Sequence, residues 1–509
     1  MGKRATAKNS ILGLLSQLVM TVFAFITRSV LIKYVGIDIL GLNSTFASVL
    51  SALSLAEMGF QTAIVYSLYK PLYENDINAI NDILNIFKIV YRFIGFFFIL
   101  ASILIIPFLK YIINGIDVNA TIIVFFLLQS SASAASYFLA YKRALLYADQ
   151  KDYISKTVDI ITFLIFSIIE IFTLVLFKSY SAYLIERCIQ VIVSNVIIQF
   201  LCSKRYKYLH SKKINKPLFR KIIRNVKDVF LNRIAGYIYT STDSIVISAF
   251  INTTTVGFYA NYMTIVSSLR LLTNALLHPI VPSIGNFLVS ESNGEKQEEL
   301  FYMHCHLRYI IALMTVIPMT ILIDEFIIIW LGQDFLLSRL FVYLTSIDLY
   351  IHIVHSSTYD FINSFGLFNI DKYVEIIGAA TNIGLSIILS KMMGVEGVLV
   401  GTVVGQIAFW IGRSALVYKK GFRLKNTKYL LYWIYNFIYI IGYIILLIIN
   451  KIIFDSILSF QTGIVHFIYS AVIMECVILV GIFVLFGWKK EQKNMQKRII
   501  SYIKRKHKS

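Results

Sequence analysis

Residues 232–262, NRIAGYIYTSTDSIVISAFINTTTVGFYANY, decide how the chain folds. The stretch reads as an apolar helix with Asp243 near its middle, followed by a short polar turn and the start of a second helix. A carboxylate inside the hydrocarbon core of a bilayer costs roughly 2.5–3.5 kcal/mol even on lenient insertion scales, so it needs a partner, a proton or a water-filled cavity. The stretch therefore predicts a membrane hairpin with a polar centre.

The same layout occurs 215 residues earlier, where Arg28 takes the place of Asp243. Two short motifs align, the second after one inserted residue: Thr27-Arg28-Ser29-Val30 with Thr242-Asp243-Ser244-Ile245, and Leu40-Gly41-Leu42 with Val256-Gly257-Phe258. Two hairpins that each carry one charge at the same depth predict a duplicated membrane bundle.

The composition supports a membrane protein. Hydrophobic residues make up 58% of the 509 residues, and the mean hydropathy is +0.73. The net charge of +20 does not predict nucleic-acid binding, because the basic residues lie between apolar runs rather than on one soluble face. The four cysteines occur singly and predict neither a disulfide framework nor a metal site.

The apolar runs predict an all-α polytopic membrane protein with about fourteen spans. Most of the 48 Lys and Arg residues fall in alternate connections, which predicts that both termini are cytoplasmic. A basic connection divides the spans into two six-helix lobes of the same orientation, and two further spans follow them. The predicted segments are a first lobe at 1–202, a linker at 203–225, a second lobe at 226–418, two additional spans at 429–488 and a basic cytoplasmic tail at 489–509.

Charges inside the predicted spans are the first candidates for a functional site. Arg28 and Arg270 suit a phosphate or pyrophosphate, because a guanidinium binds such groups through two donors and keeps its charge when desolvated. Glu57 and Asp243 can gain or lose a proton and are candidates for coupling to protons or sodium. The alternative is that these charges form arginine–carboxylate pairs that only hold the bundle together.

Uncharged polar residues extend the predicted cavity. Amide and phenol groups bind sugars through hydrogen bonds and stacking, although many such residues only join helices to one another. The predicted substrate-binding set comprises Gln17, Asn43, Gln61, Asn261, Asn274 and Tyr237. Glu170, the Glu186-Arg187 pair and Arg413 are weaker candidates, and His352 with His355 favours a polar helix face over a metal site.

Several motifs resemble the Wzx-type polysaccharide flippases of the multidrug/oligosaccharidyl-lipid/polysaccharide superfamily. They are Tyr34-Val35-Gly36, Leu53-Ser54-Leu55-Ala56-Glu57-Met58-Gly59-Phe60, Tyr66-Ser67-Leu68-Tyr69-Lys70-Pro71-Leu72, Ala148-Asp149-Gln150-Lys151 and Val256-Gly257-Phe258-Tyr259. The resemblance implies two six-helix lobes around a central cationic cavity, with two trailing helices. It also places arginines used by relatives in the first and eighth spans, where Arg28 and Arg270 fall.

The resemblance implies a flippase that moves undecaprenyl-pyrophosphate-linked oligosaccharide units to the outer leaflet for capsule, O-antigen or exopolysaccharide assembly. We expect alternating access in the bacterial cytoplasmic membrane, driven by an ion gradient or the membrane potential. We expect no cofactor beyond a coupling proton or sodium ion, and the expected partners are the lipid-linked substrate, membrane lipids, and a polysaccharide polymerase with other assembly proteins. A drug or cation antiporter, a lipid II-type flippase and a membrane-bound enzyme are the alternatives; the enzyme is disfavoured because no predicted connection exceeds about 25 residues.

Overall fold

The computed structural model describes residues 2–57, 60–210, 219, 242–458, 463–489 and 491–493, without the side chains of residues 2–16, 18, 55, 56, 61–63, 278, 368, 457 and 458. The described residues form helices joined by short turns, with no strand among them. The predicted all-α architecture is therefore confirmed. The chain divides into two compact units, Met1–Thr264 and Ile265–Ser509.

The first unit is built from long helices and a few short ones. The helices are α1 (Gly2–Val35), α2 (Ile37–Leu53), α3 (Phe60–Glu74), α4 (Ile77–Ile105), α5 (Leu109–Ile112), α6 (Ala120–Leu139), α7 (Arg143–Ala148), α8 (Asp152–Phe177), α9 (Tyr180–Arg205) and α10 (Asp243–Phe250). The division between the units falls within α11 (Thr253–Leu277). Most of the predicted linker at 203–225 lies outside the described residues, so the predicted lobe boundary stays a prediction.

The second unit continues with longer helices. They are α12 (Val281–Ser290), α13 (Gly294–Trp330), α14 (Arg339–Phe365), α15 (Phe368–Met393), α16 (Val395–Leu416), α17 (Asn426–Ile453) and α18 (Ile464–Phe486). Gly397, Gly401 and Gly405 form a stripe on α16 that packs on α15, where an added Cβ would collide with α15 atoms. Small residues at this spacing let two membrane helices approach closely.

Nine of the described helices are long and apolar enough to cross a membrane, and the bent pair α11–α12 would make a tenth. Helix α14 is not among them, although its 27 residues would suffice for a span. Asp348, His352, His355 and Asp360 lower its hydropathy. Three of these residues are buried and His352 is half-buried, so α14 keeps its charges inside the second unit.

In the first unit, helices α2 and α11 pack through two glycines that the sequence alignment had paired. Helix α2 begins at Ile37 and α11 begins at Thr253, so Gly41 and Gly257 are each the fifth residue of their helix. A Cβ at Gly41 would overlap the carbonyl oxygen of Thr253, and a Cβ at Gly257 would lie 2.6 Å from that of Ile37. Each glycine thus leaves room for the first residue of the other helix.

This reciprocal contact supports the predicted duplication. The side chains beside it also pair, because the Thr254 hydroxyl donates a hydrogen bond to Asp38 at 2.6 Å. Gly41 and Gly257, which the alignment pairs, therefore have the same role: each makes room for the backbone of the other helix. We call this packing of Gly41 on Thr253 and of Gly257 on Ile37 the reciprocal glycine contact.

Replacing Gly41 by valine should destabilise the protein by about 1–3 kcal/mol, because the new side chain has no space against the Thr253 backbone. Valine at Gly384 is the matched control, since a Cβ there meets no atom within 4 Å. We expect Gly41→Val to lower the melting temperature in detergent and to reduce cross-linking of an Asp38→Cys/Thr254→Cys pair by a short thiol reagent. Equal cross-linking in both valine variants would contradict the contact.

Candidate functional site

The first unit contains a cavity of about 720 Å³ between α1, α2, α6, α8 and α9. Its volume lies in the range of about 300–1,000 Å³ that is usual for sites of small organic ligands. Helical spacing places the polar residues on the faces that meet there. Helix α6 contributes Gln129, Ser133 and Ser136, and α9 contributes Tyr183, Arg187, Gln190 and Ser194.

The cavity lining combines hydrogen-bonding groups with apolar and aromatic surface. The hydroxyl and amide groups can both donate and accept hydrogen bonds, whereas Met20 and Phe163 offer apolar faces. Phe163 is held by an edge-to-face contact with Phe23 of α1, with 6.3 Å between the ring centroids. Such a lining suits a ligand that has many hydroxyl groups on an apolar ring frame.

Arg143 lies at one end of the cavity, and its guanidinium group is saturated by protein partners. Its two terminal nitrogens donate to the two carboxylate oxygens of Asp159 at 2.7 and 2.8 Å. Its Nε donates to Asn195 at 2.8 Å, and one terminal nitrogen also reaches Ser194 at 3.1 Å. This network ties α7, α8 and α9 together and leaves little capacity for a ligand.

Arg187 of α9 also lines the cavity, but it has different partners. Its Nε donates to the Tyr183 hydroxyl at 3.1 Å and lies 3.2 Å from Oε1 of the buried Glu170. The side chain of Arg187 is 42% exposed, against 2% for Glu170. Glu186, the preceding residue, accepts a hydrogen bond from Thr173 of α8.

Asn43 is the predicted substrate-binding residue that lines this cavity, among those whose side chains the structure describes. Its Oδ1 accepts a hydrogen bond from the Tyr180 hydroxyl at 3.0 Å. Gln17 is half-buried on α1. Two other members of the predicted set, the Gln61 side chain and the whole of Tyr237, lie outside the described residues.

Arg28 lies on α1 and contacts α11. One terminal nitrogen donates to the Ala260 carbonyl at 2.5 Å and also contacts the Thr264 hydroxyl. No carboxylate within the described residues forms an ion pair with it. Asn261, next to Ala260, is fully buried, and its amide has no hydrogen-bond partner in the described part of the chain.

The two predicted coupling carboxylates each accept a hydrogen bond from a tyrosine. Tyr91 of α4 donates to Glu57, and Tyr259 of α11 donates to Asp243 at 3.1 Å. Asp243 is the first residue of α10 and is buried. A carboxylate in the first turn of a helix is favoured by the helix dipole. Residues 220–241, which hold the preceding part of the predicted helix, lie outside the described residues, so that part of the prediction is not tested.

Arg270 forms an ion pair with Asp348 of α14, within the second unit. Gln406 of α16 donates to the other oxygen of that carboxylate at 2.7 Å, so three helices meet at Asp348. Asn274, one turn beyond Arg270 on α11, is exposed. The pyrophosphate role of Arg270 stays a prediction, and its pairing with Asp348 means that an anionic ligand would have to compete with a carboxylate.

Two further buried charge clusters occur in the second unit. Arg308 of α13 donates to Asp360 at 2.5 Å, and His304 approaches the same carboxylate oxygen at 2.8 Å. Arg413 binds Asp371 through two hydrogen bonds of 2.9 and 3.0 Å and also reaches Glu375. Each cluster joins two neighbouring helices, and in each the partners compensate the burial of charge.

The Arg143 network is the part of the site that the sequence interpretation missed. Arg143 had been counted among the basic residues of a cytoplasmic connection. The signal that could have revealed it is Asp159, an acidic residue where the long apolar part of α8 begins. An unpaired carboxylate at that position is costly, which predicts a cationic partner on a neighbouring helix.

A bundle of helices long and apolar enough to cross a membrane defines an integral-membrane protein, and one unit of this protein holds a polar cavity. The chain belongs to the family described as polysaccharide biosynthesis protein, which matches residues 6–288, more than half of the chain. No functionally curated protein matches it.

Solved structures with the same fold are transporters and flippases. A lipid II flippase MurJ in an inward closed conformation is similar with a TM-score of 0.68 and 16% identity, covering 94% of this chain and 98% of that one. An inward-facing multidrug resistance MATE family transporter of the MOP superfamily has a TM-score of 0.60 and 12% identity, covering 81% and 99%. A point mutant of the Vibrio cholerae MATE transporter VcmN has a TM-score of 0.54 and 12% identity, covering 83% and 100%. The predicted resemblance to polysaccharide biosynthesis proteins is confirmed by the family match, and the structural likeness shows that the chain shares the fold of these solved proteins.

Replacing Arg143 by alanine should destabilise the folded protein by about 1–3 kcal/mol, because Asp159, Ser194 and Asn195 lose their shared donor. The control is Lys70→Ala, which removes an ion pair with Glu74 whose lysine side chain is 81% exposed. Such surface pairs contribute about 0–1 kcal/mol. Melting temperatures of the purified variants in detergent test this, and equal melting temperatures would show that the Arg143 network does not hold the helices together.

Proposed function

We propose that the protein is a lipid-linked oligosaccharide flippase. In this proposal it moves undecaprenyl-pyrophosphate-linked repeat units from the inner to the outer leaflet of the bacterial cytoplasmic membrane, with both termini in the cytoplasm, by alternating access. The units would serve capsule, O-antigen or exopolysaccharide assembly, with a polymerase and other assembly proteins acting next. Membership of the polysaccharide biosynthesis family supports this assignment.

The observation that carries the proposal is the polar cavity of the first unit. A sugar that crosses the hydrocarbon layer must keep its hydroxyl groups hydrogen-bonded, since each unpaired polar group costs about 1–3 kcal/mol. Ser133, Ser136 and Gln190 offer such bonds inside a unit of membrane-length helices, while Phe163 offers a face for stacking. A flippase for apolar lipids alone would not need this lining.

The predicted ion and pyrophosphate roles belong to the proposal. Arg28 suits a phosphate group because its guanidinium binds only uncharged acceptors within the described residues. Glu57 and Asp243 remain candidates for coupling to a proton or sodium ion, and their tyrosine partners can donate a hydrogen bond to the ionised form.

A lipophilic-cation antiporter is the second candidate, and one observation favours it. The second unit contains an apolar cavity of about 490 Å³ between α11, α13 and α18. Glu475 lines it, and its buried Oε2 accepts no hydrogen bond in the described part of the chain. A single carboxyl group in apolar surroundings suits an organic cation. The MATE neighbours share this fold but, at their low identity, do not decide between the two functions.

A proteoliposome assay tests the proposal. A fluorescent undecaprenyl-pyrophosphate oligosaccharide is placed in one leaflet, and its appearance in the other leaflet is followed by accessibility to a membrane-impermeant quencher. Liposomes without protein give the background. We expect time-dependent movement of the glycolipid and no movement of ethidium; ethidium transport without glycolipid movement would instead support the antiporter.

Filling the cavity should block the reaction. Ser133→Trp should slow flipping about tenfold or more, corresponding to at least about 1.4 kcal/mol, because the indole occupies space that the glycan needs. Val124→Trp is the matched control on the same helix, since Val124 is 47% exposed and does not line the cavity. Equal flipping rates in the two variants, each folded, would remove the cavity from the transport path.

A further inference from the structure

The two arginines of the first-unit cavity differ in how much binding capacity the protein leaves them. Arg143 uses Nε and both terminal nitrogens on Asp159, Ser194 and Asn195. Arg187 uses only Nε, on Tyr183 and beside Glu170. The part of the chain that the structure describes offers no acceptor to the two terminal nitrogens of Arg187, although its side chain lines the cavity.

This arrangement orients the guanidinium group of Arg187 so that it can bind an anion. The Nε contacts fix one edge of the guanidinium plane, and the opposite edge, with two parallel N–H groups, stays available. That edge matches the two oxygens of a carboxylate, which arginine binds through paired hydrogen bonds. A positive charge inside a membrane protein is energetically costly, and such charges usually have a function.

The neighbouring charges indicate which anion fits. Oε1 of Glu170 on α8 lies 3.2 Å from Nε of Arg187, and Glu186 directly precedes Arg187 on α9. These carboxylates repel a dianionic phosphate more strongly than a group with a single negative charge, so a carboxylate is the favoured ligand group at Arg187.

The rest of the nearby surface fits a sugar. Tyr183 and Gln190 lie four residues before and three residues after Arg187, on the same face of α9. Ser133 and Ser136 line the same cavity from α6. A carboxylate at Arg187 would therefore be followed by hydroxyl and amide partners at the spacing of a helical turn, about 5.4 Å.

We infer that the first-unit cavity binds a glycan that carries a carboxylate, of the sugar-acid type, and that the free edge of Arg187 binds this carboxylate. Glu170 is the internal competitor for the same guanidinium. The inference rests on the proposed function, because it names the class of glycan that the flippase would accept.

The test uses the purified full-length protein in nanodiscs and two matched probes. Trigalacturonic acid carries the carboxylates, and its fully methyl-esterified form has the same sugar frame without them. Calorimetric titration should show tighter binding of the acid by about tenfold, as expected for paired charge-assisted hydrogen bonds. Inorganic phosphate should not compete with the acid; competition at equal concentration would overturn the carboxylate assignment.

Two substitutions are expected to change the affinity for the acid in opposite directions. Arg187→Gln should remove the preference for the acid, so that the acid and its methyl ester bind with equal affinity. Glu170→Gln should tighten binding of the acid, because it removes the competing negative charge, and this result does not depend on whether Arg187→Gln folds. Lys178→Gln, an exposed cation at the end of α8, is the control and should keep the wild-type preference.

The outcomes separate the inference from the proposed function. An acid preference that survives in folded Arg187→Gln overturns the inference, as does a failure of both probes to bind. The flippase proposal is decided separately, by movement of a lipid-linked glycan with neutral sugars in proteoliposomes. If the neutral substrate is flipped but no acid preference depends on Arg187, the inference is contradicted and the proposed flippase function is not.

Discussion

The reciprocal glycine contact is the constraint on which the first unit depends. Gly41 and Gly257 each omit a side chain so that the backbone of the other helix can come close, and both helices begin four residues before their glycine. A contact of this kind cannot be repaired by a small shift of a side chain, because backbone atoms fill the space. It fixes α2 against α11, and through α11 it sets where Arg28 finds its carbonyl partner, Ala260.

A second constraint governs the charges. A polar group inside a membrane protein must be paired or must face water, since an unsatisfied group in hydrocarbon costs several kcal/mol. Arg143, Arg308 and Arg413 meet this condition with buried or half-buried carboxylates, and they hold helices together. Arg187 meets it only in part. The contrast between saturated and unsaturated arginines therefore separates structural charges from those with capacity left for a ligand.

The sequence predicted the fold class and the paired glycine motifs, because hydropathy and internal repetition can be recognised in short stretches of residues. It did not predict which charges would meet. Arg270 pairs with Asp348, which is 78 residues away, and Arg143 pairs with Asp159 across two helices. Such pairs depend on helix rotation and crossing, which a single sequence does not encode in any local pattern. Asn43 was predicted as one of the uncharged polar residues of the spans, whereas Arg187 was only a weaker candidate as a member of the Glu186-Arg187 pair.

A water-filled polar cavity within a bundle of membrane-length helices must be accessible to a charged thiol reagent from the aqueous phase. In a background without Cys188, Cys202, Cys305 and Cys476, cysteines are placed at Ser133, Gln190 and Val124. We expect a membrane-impermeant methanethiosulfonate to react with cysteines at Ser133 and Gln190 in intact membranes and to spare a cysteine at Val124, which does not line the cavity. Protection of Ser133→Cys and Gln190→Cys to the level of Val124→Cys would contradict a water-filled cavity in the first unit.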